Sequence, residues 1–312
     1  KAPACGCPSP KPAQPEPDMV PISLFVWIVL EVCGYLYIGR QLMHLDWPLA
    51  IIGAINCLLG LRFWMNATTW FFGMKFASPA PALGFGKRFL IMLGEYFAFL
   101  LTFLLVIPFE RLWMPADRLL TGQKPILLVH GYGCSRGVWW LLRRRLEAAG
   151  HSVATVSLAP PYTSMGKLVP LLNQRIEEVC AETGCQQVTL VAHSMGGLIC
   201  RSYLARHGIE RVDRLFTMAT PHSGSLLSKI GFGQNSREMT PGSLWLRDMA
   251  TEPIKIPAVS LRNAYDNYVM PQDNQRLPGA RDVELPPVGH IAMLYDERVA
   301  RLLLDLLKLK KP

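Results

Sequence analysis

Three long apolar segments in the first third of the chain constrain what this sequence can fold into. They cover residues 19–39, 47–65 and 89–107, and few charged residues interrupt them. A run of about 20 apolar residues is long enough to cross the hydrocarbon core of a bilayer, where a helix satisfies all of its own backbone hydrogen bonds. We therefore predict an all-α membrane region of about three helices over residues 19–108.

Glu31 and Glu95 are acidic residues inside the first and third of these segments. An ionised side chain at membrane depth is costly, so each is expected to face the other or another polar partner. The alternative is a buried helical subdomain of a soluble protein. The aromatic residues favour the membrane, because tryptophans are enriched at the membrane–water interface. Four of them lie within or near the segment ends: Trp27, Trp47, Trp64 and Trp70.

The distribution of charge indicates an orientation and a class of partner. Residues 1–18 form a Pro-rich polar stretch, which predicts a disordered tail. The positive-inside rule favours a cytoplasmic tail and places the domain that follows the membrane region on the periplasmic side of a bacterial inner membrane. The net charge is +9, and no nucleic-acid-binding motif accompanies it. A basic face on anionic lipid headgroups is the simpler explanation, worth about 1 kcal/mol per cation. The oligomeric state is left open.

Strand and helix patterns alternate after a connector over residues 109–123, and they predict a second domain over residues 124–312. Short apolar runs predict buried strands at residues 126–129, 153–158, 188–192, 215–219, 256–261 and 283–285. Amphipathic spacing predicts helices at residues 138–149, 168–179, 197–206 and 297–309. This order is typical of a mostly parallel sheet covered by helices, so the predicted fold class is α/β.

The stretch LVAHSMGGLICRSYL places Ser194 where the strand over residues 188–192 turns into a helix. A turn this sharp strains its central residue and makes the side chain stand clear of the backbone. The residues two positions before and after it must be small, and Ala192 and Gly196 meet this requirement. The pattern predicts Ser194 as a nucleophile. An ordinary serine in a turn is the alternative, and the partners of the serine must decide between the two.

A serine nucleophile needs a histidine base, and the base needs an acid that fixes its tautomer. In a sheet of this type the acid and then the histidine follow the serine along the chain. His290 follows the last predicted strand and is the predicted base, whereas His222 precedes every good acid candidate. Asp266 lies just beyond the strand over residues 256–261 and is the predicted acid. Asp273, further along the same loop, is the alternative.

An oxyanion that forms during acyl transfer needs backbone N–H donors. Met195, directly after the nucleophile, is predicted to supply one of them. The loop after the first strand is predicted to supply the other through the Tyr132 N–H, because Gly131 and Gly133 let that loop fold tightly. His130 is predicted to hold the same loop by a hydrogen bond rather than to catalyse.

The segments KPILLVHGYG, VTLVAHSMGG and GARDVELPPVGHIAMLYDERV resemble those of the compact bacterial lipases of class 2, which share the A-H-S-M-G elbow. The resemblance covers roughly residues 124–307. It implies an α/β-hydrolase fold, hydrolysis of carboxylic esters and no cofactor. It also implies Ser194, Asp266 and His290 as a catalytic triad. The oxyanion hole that it implies consists of the Tyr132 and Met195 N–H groups.

Two departures from the compact lipases affect the expected function. They have no counterpart of the membrane region, which we expect to anchor the enzyme. They also have a shorter connection where this chain has residues 223–254, and the piece TPHSGS there resembles larger, lidded lipases, so this segment is a candidate lid. Some lidded lipases bind calcium, but no carboxylate pair suited to it is found, so no metal is predicted. Cys180 and Cys185 are close enough in sequence to pair in an oxidising compartment.

The sequence therefore predicts a membrane-anchored serine ester hydrolase that acts as a lipase or esterase, with phospholipase activity as one option. Its predicted partners are a lipid or other acyl-ester substrate and the bilayer, with no nucleic acid. An acyltransferase or thioesterase would use the same triad with a different acceptor. A non-catalytic hydrolase-like membrane scaffold is the alternative from a different class.

Overall fold

The computed structural model of the protein describes residues 19–309, and the tail predicted over residues 1–18 lies outside them. The described part begins with three apolar helices, α1 (Met19–Leu42), α2 (Trp47–Lys75) and α3 (Phe85–Val106). Each is long and apolar enough to cross a membrane. Their outer faces leave large apolar side chains uncovered, such as Trp64 at 71% and Phe85 at 87% exposure. A surface of this kind suits lipid better than water.

Helix α2 extends to Lys75 rather than ending at residue 65, as the apolar run predicts. The hydroxyls of Thr68 and Thr69 donate to helix carbonyl oxygens about one turn back, each at 2.8 Å. Because these polar groups are satisfied inside the helix, they do not end it. The additional turns carry the C-terminal end of α2 beyond the apolar segment and onto loops of the following domain.

Glu31 in α1 pairs with Arg62 in α2. Both guanidinium Nη atoms contact the Glu31 carboxylate, and Tyr35 donates its hydroxyl to the same carboxylate at 2.8 Å. The two charged side chains are each 8% exposed. The expectation that Glu31 has a polar partner is therefore confirmed, and Glu95 is not that partner.

The second part of the chain is built on a six-stranded sheet in which all neighbours are parallel, with the order β2-β1-β3-β4-β5-β6. The strands are β1 (Ile126–Val129), β2 (Val153–Val156), β3 (Val188–His193), β4 (Val212–Met218), β5 (Ala258–Arg262) and β6 (Arg281–Glu284). Every residue of β1, β2, β3 and β5 is buried, which explains why these strands are mostly apolar. The predicted α/β class and the parallel sheet are confirmed.

Helices cover both faces of this sheet. The helices of this part of the chain are α4 (Glu110–Trp113), α5 (Trp140–Ala148), α6 (Met165–Thr183), α7 (Met195–His207), α8 (Gly233–Glu238), α9 (Leu244–Ala250) and α10 (Glu297–Lys308). One apolar cluster joins the sheet to α5 and α10, and a second joins it to α6 and α7. An entirely parallel sheet needs this cover on both faces.

Some element ends differ from the predicted ones. Strand β4 starts at Val212 rather than at residue 215, because Asp213 and Arg214 are only half-buried and hide the apolar pattern there. The strand predicted from residue 256 starts at Ala258 instead. These shifts leave the order of the elements unchanged.

The connector between the helices and the sheet is fixed by a buried carboxylate. Asp117 accepts hydrogen bonds from Arg143 at 2.8 Å, from Arg175 at 2.9 Å and from the Thr155 N–H at 2.7 Å. These donors lie on α5, α6 and β2. The connector is therefore packed on the sheet domain and does not run freely between two independent parts.

Arg62→Met tests the pair between α1 and α2. The substitution leaves Glu31 without its counter-charge, and removing one partner of a buried pair costs about 3–5 kcal/mol. We expect a lower unfolding temperature in detergent micelles, measured by circular dichroism. The double variant Glu31→Met/Arg62→Met removes both charges and should regain most of the lost stability. A single variant as stable as the wild type would contradict this account.

Candidate active site

Ser194 lies between β3 and α7 with φ = 53° and ψ = −128°, a region that residues other than glycine rarely occupy. Helix α7 begins at the next residue. A Cβ at Gly196 would lie 2.7 Å from the His130 carbonyl oxygen and still closer to that of Val129, so only glycine fits there. The sharp turn, and the need for a small residue two positions after the serine, are both present as predicted.

The loop after β1 packs directly against this turn. A Cβ at Gly131 would lie 2.9 Å from the Ser194 Cβ. Within residues 19–309, neither the Tyr132 N–H nor the Met195 N–H donates a hydrogen bond. Met195 follows Ser194 directly and Tyr132 follows Gly131, and N–H groups without a partner near the serine are what an oxyanion would need.

Asp266 and His290 meet at the carboxyl end of the sheet. The His290 Nδ1 lies 2.8 Å from Asp266 Oδ2, and both side chains are almost completely buried. The other carboxylate oxygen, Oδ1, accepts the N–H groups of Tyr268 and Val269 at 2.7 Å each. With both oxygens engaged, the carboxylate is held in one orientation and fixes the imidazole that contacts it.

Two further rings contact the His290 imidazole. The Tyr268 ring is stacked on it at 4.9 Å between centroids, and the His193 ring lies at 4.5 Å. His193 Nε2–H also donates to the His290 carbonyl oxygen at 3.1 Å. Burial lowers the pKa of His193 well below its ordinary value, so this ring is neutral. His193 thereby connects Ser194, its neighbour in sequence, to His290. Within residues 19–309, no hydrogen bond joins Ser194 directly to His290.

The alternative acid and base candidates are engaged elsewhere. Asp273 is exposed and pairs with Arg276 at 3.0 Å. His222 is buried, with its Nε2 at 3.1 Å from the Thr217 hydroxyl. Burial and the nearby Arg201 lower the pKa of His222 well below its ordinary value. Of the candidates weighed from the sequence, the structure brings Asp266 to His290 and leaves Asp273 on the surface.

His130 has the structural role that the sequence predicts. Its Nε2 accepts the Leu158 N–H at 3.1 Å, so its Nδ1 carries the hydrogen that is donated to the Gly131 carbonyl oxygen at 3.0 Å. This single tautomer ties the loop after β1 to the chain that follows β2.

Two residues near His290 were not predicted from the sequence. Asn267 accepts the His290 N–H through Oδ1 at 3.1 Å and donates through Nδ2 to the Thr69 hydroxyl at 2.8 Å. Glu95 accepts backbone N–H groups directly after His290. In the sequence, Asn267 indicates only a turn. Glu95 stands out as an isolated charge in an apolar segment, but its contact with the residues after His290 could not be predicted.

The candidate lid over residues 223–254 is attached to the loop that holds Tyr132. The Tyr132 hydroxyl donates to the Phe232 carbonyl oxygen at 2.8 Å and accepts the Phe232 N–H at 2.9 Å. Burial raises the pKa of Tyr132, which keeps this hydroxyl protonated. Three large apolar residues of the segment are well exposed: Ile230, Phe232 and Leu244.

Within residues 19–309, no cluster of three or more His, Cys, Asp or Glu residues is arranged to hold a metal ion. Cys180 and Cys185 are both free thiols.

The parallel sheet and the strained serine between strand and helix define an α/β hydrolase fold. A family profile described as "alpha/beta hydrolase fold" matches residues 124–256. The mature lipase BlEst2 of Bacillus licheniformis superimposes with a TM-score of 0.56 at 20% identity, covering 63% of this chain and 97% of that one. Lipase B of Aspergillus fumigatus also gives 0.56, at 16% identity, covering 61% of this chain and 54% of that one.

Curated relatives match shorter stretches of the chain. Methylesterase 7 of Arabidopsis thaliana is 36% identical over 85 residues, which is 24% of this chain and 32% of that protein. A triacylglycerol lipase of Pseudarthrobacter phenanthrenivorans is 30% identical over 118 residues, 35% of this chain and 37% of that protein. This chain thus spans about a third of the length of these relatives. The finer resemblance to lipases of class 2 stays a prediction.

Gly196→Ala tests the close packing behind the serine turn. The added Cβ would overlap carbonyl oxygens of β1 and the loop after it, and overpacking of this kind costs about 3 kcal/mol. We expect a marked fall in unfolding temperature, followed by circular dichroism. Gly60→Ala is the matched control, because Gly60 lies within α2 with open space around it. That control should keep or slightly raise the stability, since alanine favours a helix by about 1 kcal/mol. Equal effects of the two substitutions would contradict the close approach.

Proposed function

We propose that this protein is a serine carboxylic ester hydrolase in which Ser194 is the nucleophile, His290 the base and Asp266 the acid. The observation that carries the proposal is the 2.8 Å contact between Asp266 Oδ2 and His290 Nδ1, close to a strained serine turn. Because Nδ1 is held by the carboxylate, Nε2 is the ring nitrogen that remains to accept a proton.

The first half of the reaction forms an acyl-enzyme. Ser194 Oγ attacks the ester carbonyl carbon while His290 Nε2 takes the hydroxyl proton. The oxyanion accepts hydrogen bonds from the Tyr132 and Met195 N–H groups. His290 then returns the proton to the leaving alcohol oxygen as the ester C–O bond breaks. The acyl group is left as an ester of Ser194.

Water completes the cycle by the same steps in the second half. His290 takes a proton from water, whose oxygen attacks the acyl carbon, and the carboxylic acid leaves as the proton returns to Ser194. Ser194 and His290, both in the described part of the chain, make no hydrogen bond with each other, so the serine side chain must turn toward the imidazole when substrate binds. Catalytic hydrogen bonds commonly shorten in this way on substrate binding.

Transfer to water distinguishes this proposal from its enzymatic alternatives. An acyltransferase or thioesterase would use the same residues with another acceptor or a thioester. Relatives named methylesterase and triacylglycerol lipase favour oxygen esters and hydrolysis. A non-catalytic scaffold would have no need of a buried Asp266–His290 pair beside a strained serine, because burying such polar groups is costly.

The membrane is the second part of the proposal. Helices α1, α2 and α3 are long and apolar enough to span it, and their exposed apolar faces support a multi-pass anchor. The positive-inside rule supports an orientation with the catalytic domain on the periplasmic side of a bacterial inner membrane. The exposed Ile230, Phe232 and Leu244 would add an apolar rim on the candidate lid that faces lipid. We therefore propose lipid esters, phospholipids among them, as the substrate class.

Kinetics of three variants test the assigned residues on a short, water-soluble ester. Ser194→Ala should abolish turnover above background. Asp266→Asn should lower kcat by about 10⁴-fold, the reference value for serine proteases, because the imidazole would be held in the wrong tautomer. Asp273→Asn is the matched control and should leave kcat unchanged. If Asp273→Asn lowers kcat and Asp266→Asn does not, the acid is wrongly assigned.

The double substitution Phe232→Ser/Leu244→Ser tests the apolar rim. Each side chain would lose contact with lipid worth about 1.5–3 kcal/mol if fully buried there. We expect roughly a tenfold drop in fatty-acid release from phospholipid vesicles, with hydrolysis of a short soluble ester unchanged. Gln234→Ser, an exposed polar change in the same segment, is the control. Equal losses on both substrates would show that the segment does not act as a lipid-facing rim.

A further inference from the structure

Glu95 in α3 is completely buried against the loop that carries His290. Its Oε1 accepts the Ile291 N–H at 3.0 Å, and its Oε2 accepts the N–H groups of Ile291 at 3.1 Å and Ala292 at 2.8 Å. A Cβ at Gly289 would lie 2.5 Å from the Glu95 Cδ. The carboxylate is therefore pressed against the residues directly before and after His290.

Helix α2 makes a matching set of contacts with the loop that carries Asp266. The Thr69 hydroxyl accepts from Asn267 Nδ2, and Asn267 Oδ1 accepts the His290 N–H. A Cβ at Gly73 would lie 3.1 Å from the Asn267 Cα, so helix and loop are in direct contact. Gln272 Nε2 donates to the carbonyl oxygens of both Gly73 and Asp266, at 3.2 and 2.8 Å.

The loop after β1 is also held by a residue that precedes β1 in the sequence. Glu110, which starts α4, accepts the Gly137 N–H at 3.0 Å and the Ser135 hydroxyl. This loop also contains the Tyr132 N–H. Residues that precede β1 thus contact each of the three loops in which the proposed acid, base and oxyanion donor lie.

The contact with Glu95 holds the loop that carries His290 in place, because the carboxylate and the backbone N–H groups satisfy each other's hydrogen-bonding requirements. A buried carboxylate is costly to desolvate unless its oxygens accept hydrogen bonds. The N–H groups that supply them lie at the start of the short 3₁₀ turn Ala292–Leu294, where donors have no partner within the turn. Separating the two would leave a buried charge and buried N–H groups unsatisfied, so one position of the loop against α3 is strongly preferred.

We propose that Glu95 is a positioning residue for His290, and that the apolar helices are thereby a structural part of the active centre rather than only an anchor. The proposal rests on the proposed ester hydrolysis, in which His290 is the base. Glu95 does not touch the reacting atoms; it holds the backbone on which the imidazole is carried. A displacement of about 1 Å at a catalytic group can lower the rate by about 10²-fold, so loss of this contact should be visible in turnover.

The experiment measures turnover per competent site in the full-length chain in detergent micelles. Complete labelling by a fluorophosphonate counts the molecules whose Ser194 can react, and a short soluble ester gives kcat and KM. Glu95→Ala should lower kcat per labelled site by about 10²-fold and change KM by less than about twofold. Glu95→Gln keeps one acceptor oxygen and should recover part of that loss.

Two further variants separate positioning from general stability. Tyr96→Phe is the matched control, because it removes a 3.0 Å hydrogen bond to the Leu59 carbonyl oxygen from the neighbouring residue of the same helix. It should leave kcat per labelled site unchanged. Thr69→Val removes the hydroxyl that accepts a hydrogen bond from Asn267. Because Asn267 also accepts the His290 N–H, this variant disturbs the position of His290 through α2 instead of α3. It should lower kcat per site in the same direction as Glu95→Ala, and it serves as the test if Glu95→Ala does not fold.

The outcomes distinguish this proposal from the proposed function. If Glu95→Ala lowers only the fraction of labelled molecules, with kcat per site unchanged, Glu95 is purely structural and the positioning role is overturned. An unchanged kcat in both Glu95→Ala and Thr69→Val overturns it as well. Neither result affects the proposed hydrolysis, which fails separately if Ser194→Ala keeps wild-type turnover.

Discussion

The position of His290 depends on hydrogen bonds accepted by two buried carboxylates. Asp266 holds the imidazole at Nδ1, and Glu95 holds the backbone that follows the same residue. Leaving a buried acceptor or donor unsatisfied costs about 1–3 kcal/mol, and more for a charged group. Few arrangements of the surrounding loops satisfy both carboxylates at once. The hydrogen bonds that the two buried carboxylates require thus also hold His290 in the position that the proposed reaction needs.

This constraint joins the apolar helices to the α/β-hydrolase domain. Three apolar helices precede the sheet, and two of them, α2 and α3, contact the loops around Asp266 and His290. If the helices lie in a bilayer, as proposed, the active centre is assembled against the membrane. Insertion of the helices and activity of the site would then be coupled.

Much of the fold and part of the site could be predicted from the sequence. The buried strands give mostly apolar runs, and the glycine two positions after Ser194 indicates the close approach of α7 to β1. The contact between Asp266 and His290 followed from their order behind successive strands. The roles of Asn267 and Glu95 could not be predicted. Their partners are backbone N–H groups and a threonine that lie roughly 200 positions away in sequence. Hydrophobic periodicity describes local structure and does not indicate such distant contacts. The extension of α2 was missed for a local reason, since its threonines lower the hydropathy while their hydroxyls bond within the helix.

The most direct test of the central claim is to trap the acyl-enzyme in the full-length protein. The chain would be mixed with an activated short-chain ester, quenched in acid within milliseconds and digested for mass spectrometry. The account predicts one acyl group per molecule, on the peptide that contains Ser194, with faster loss at neutral pH in the wild type than in Asp266→Asn. An acyl group on another residue, or none at all while the ester is being hydrolysed, would contradict it.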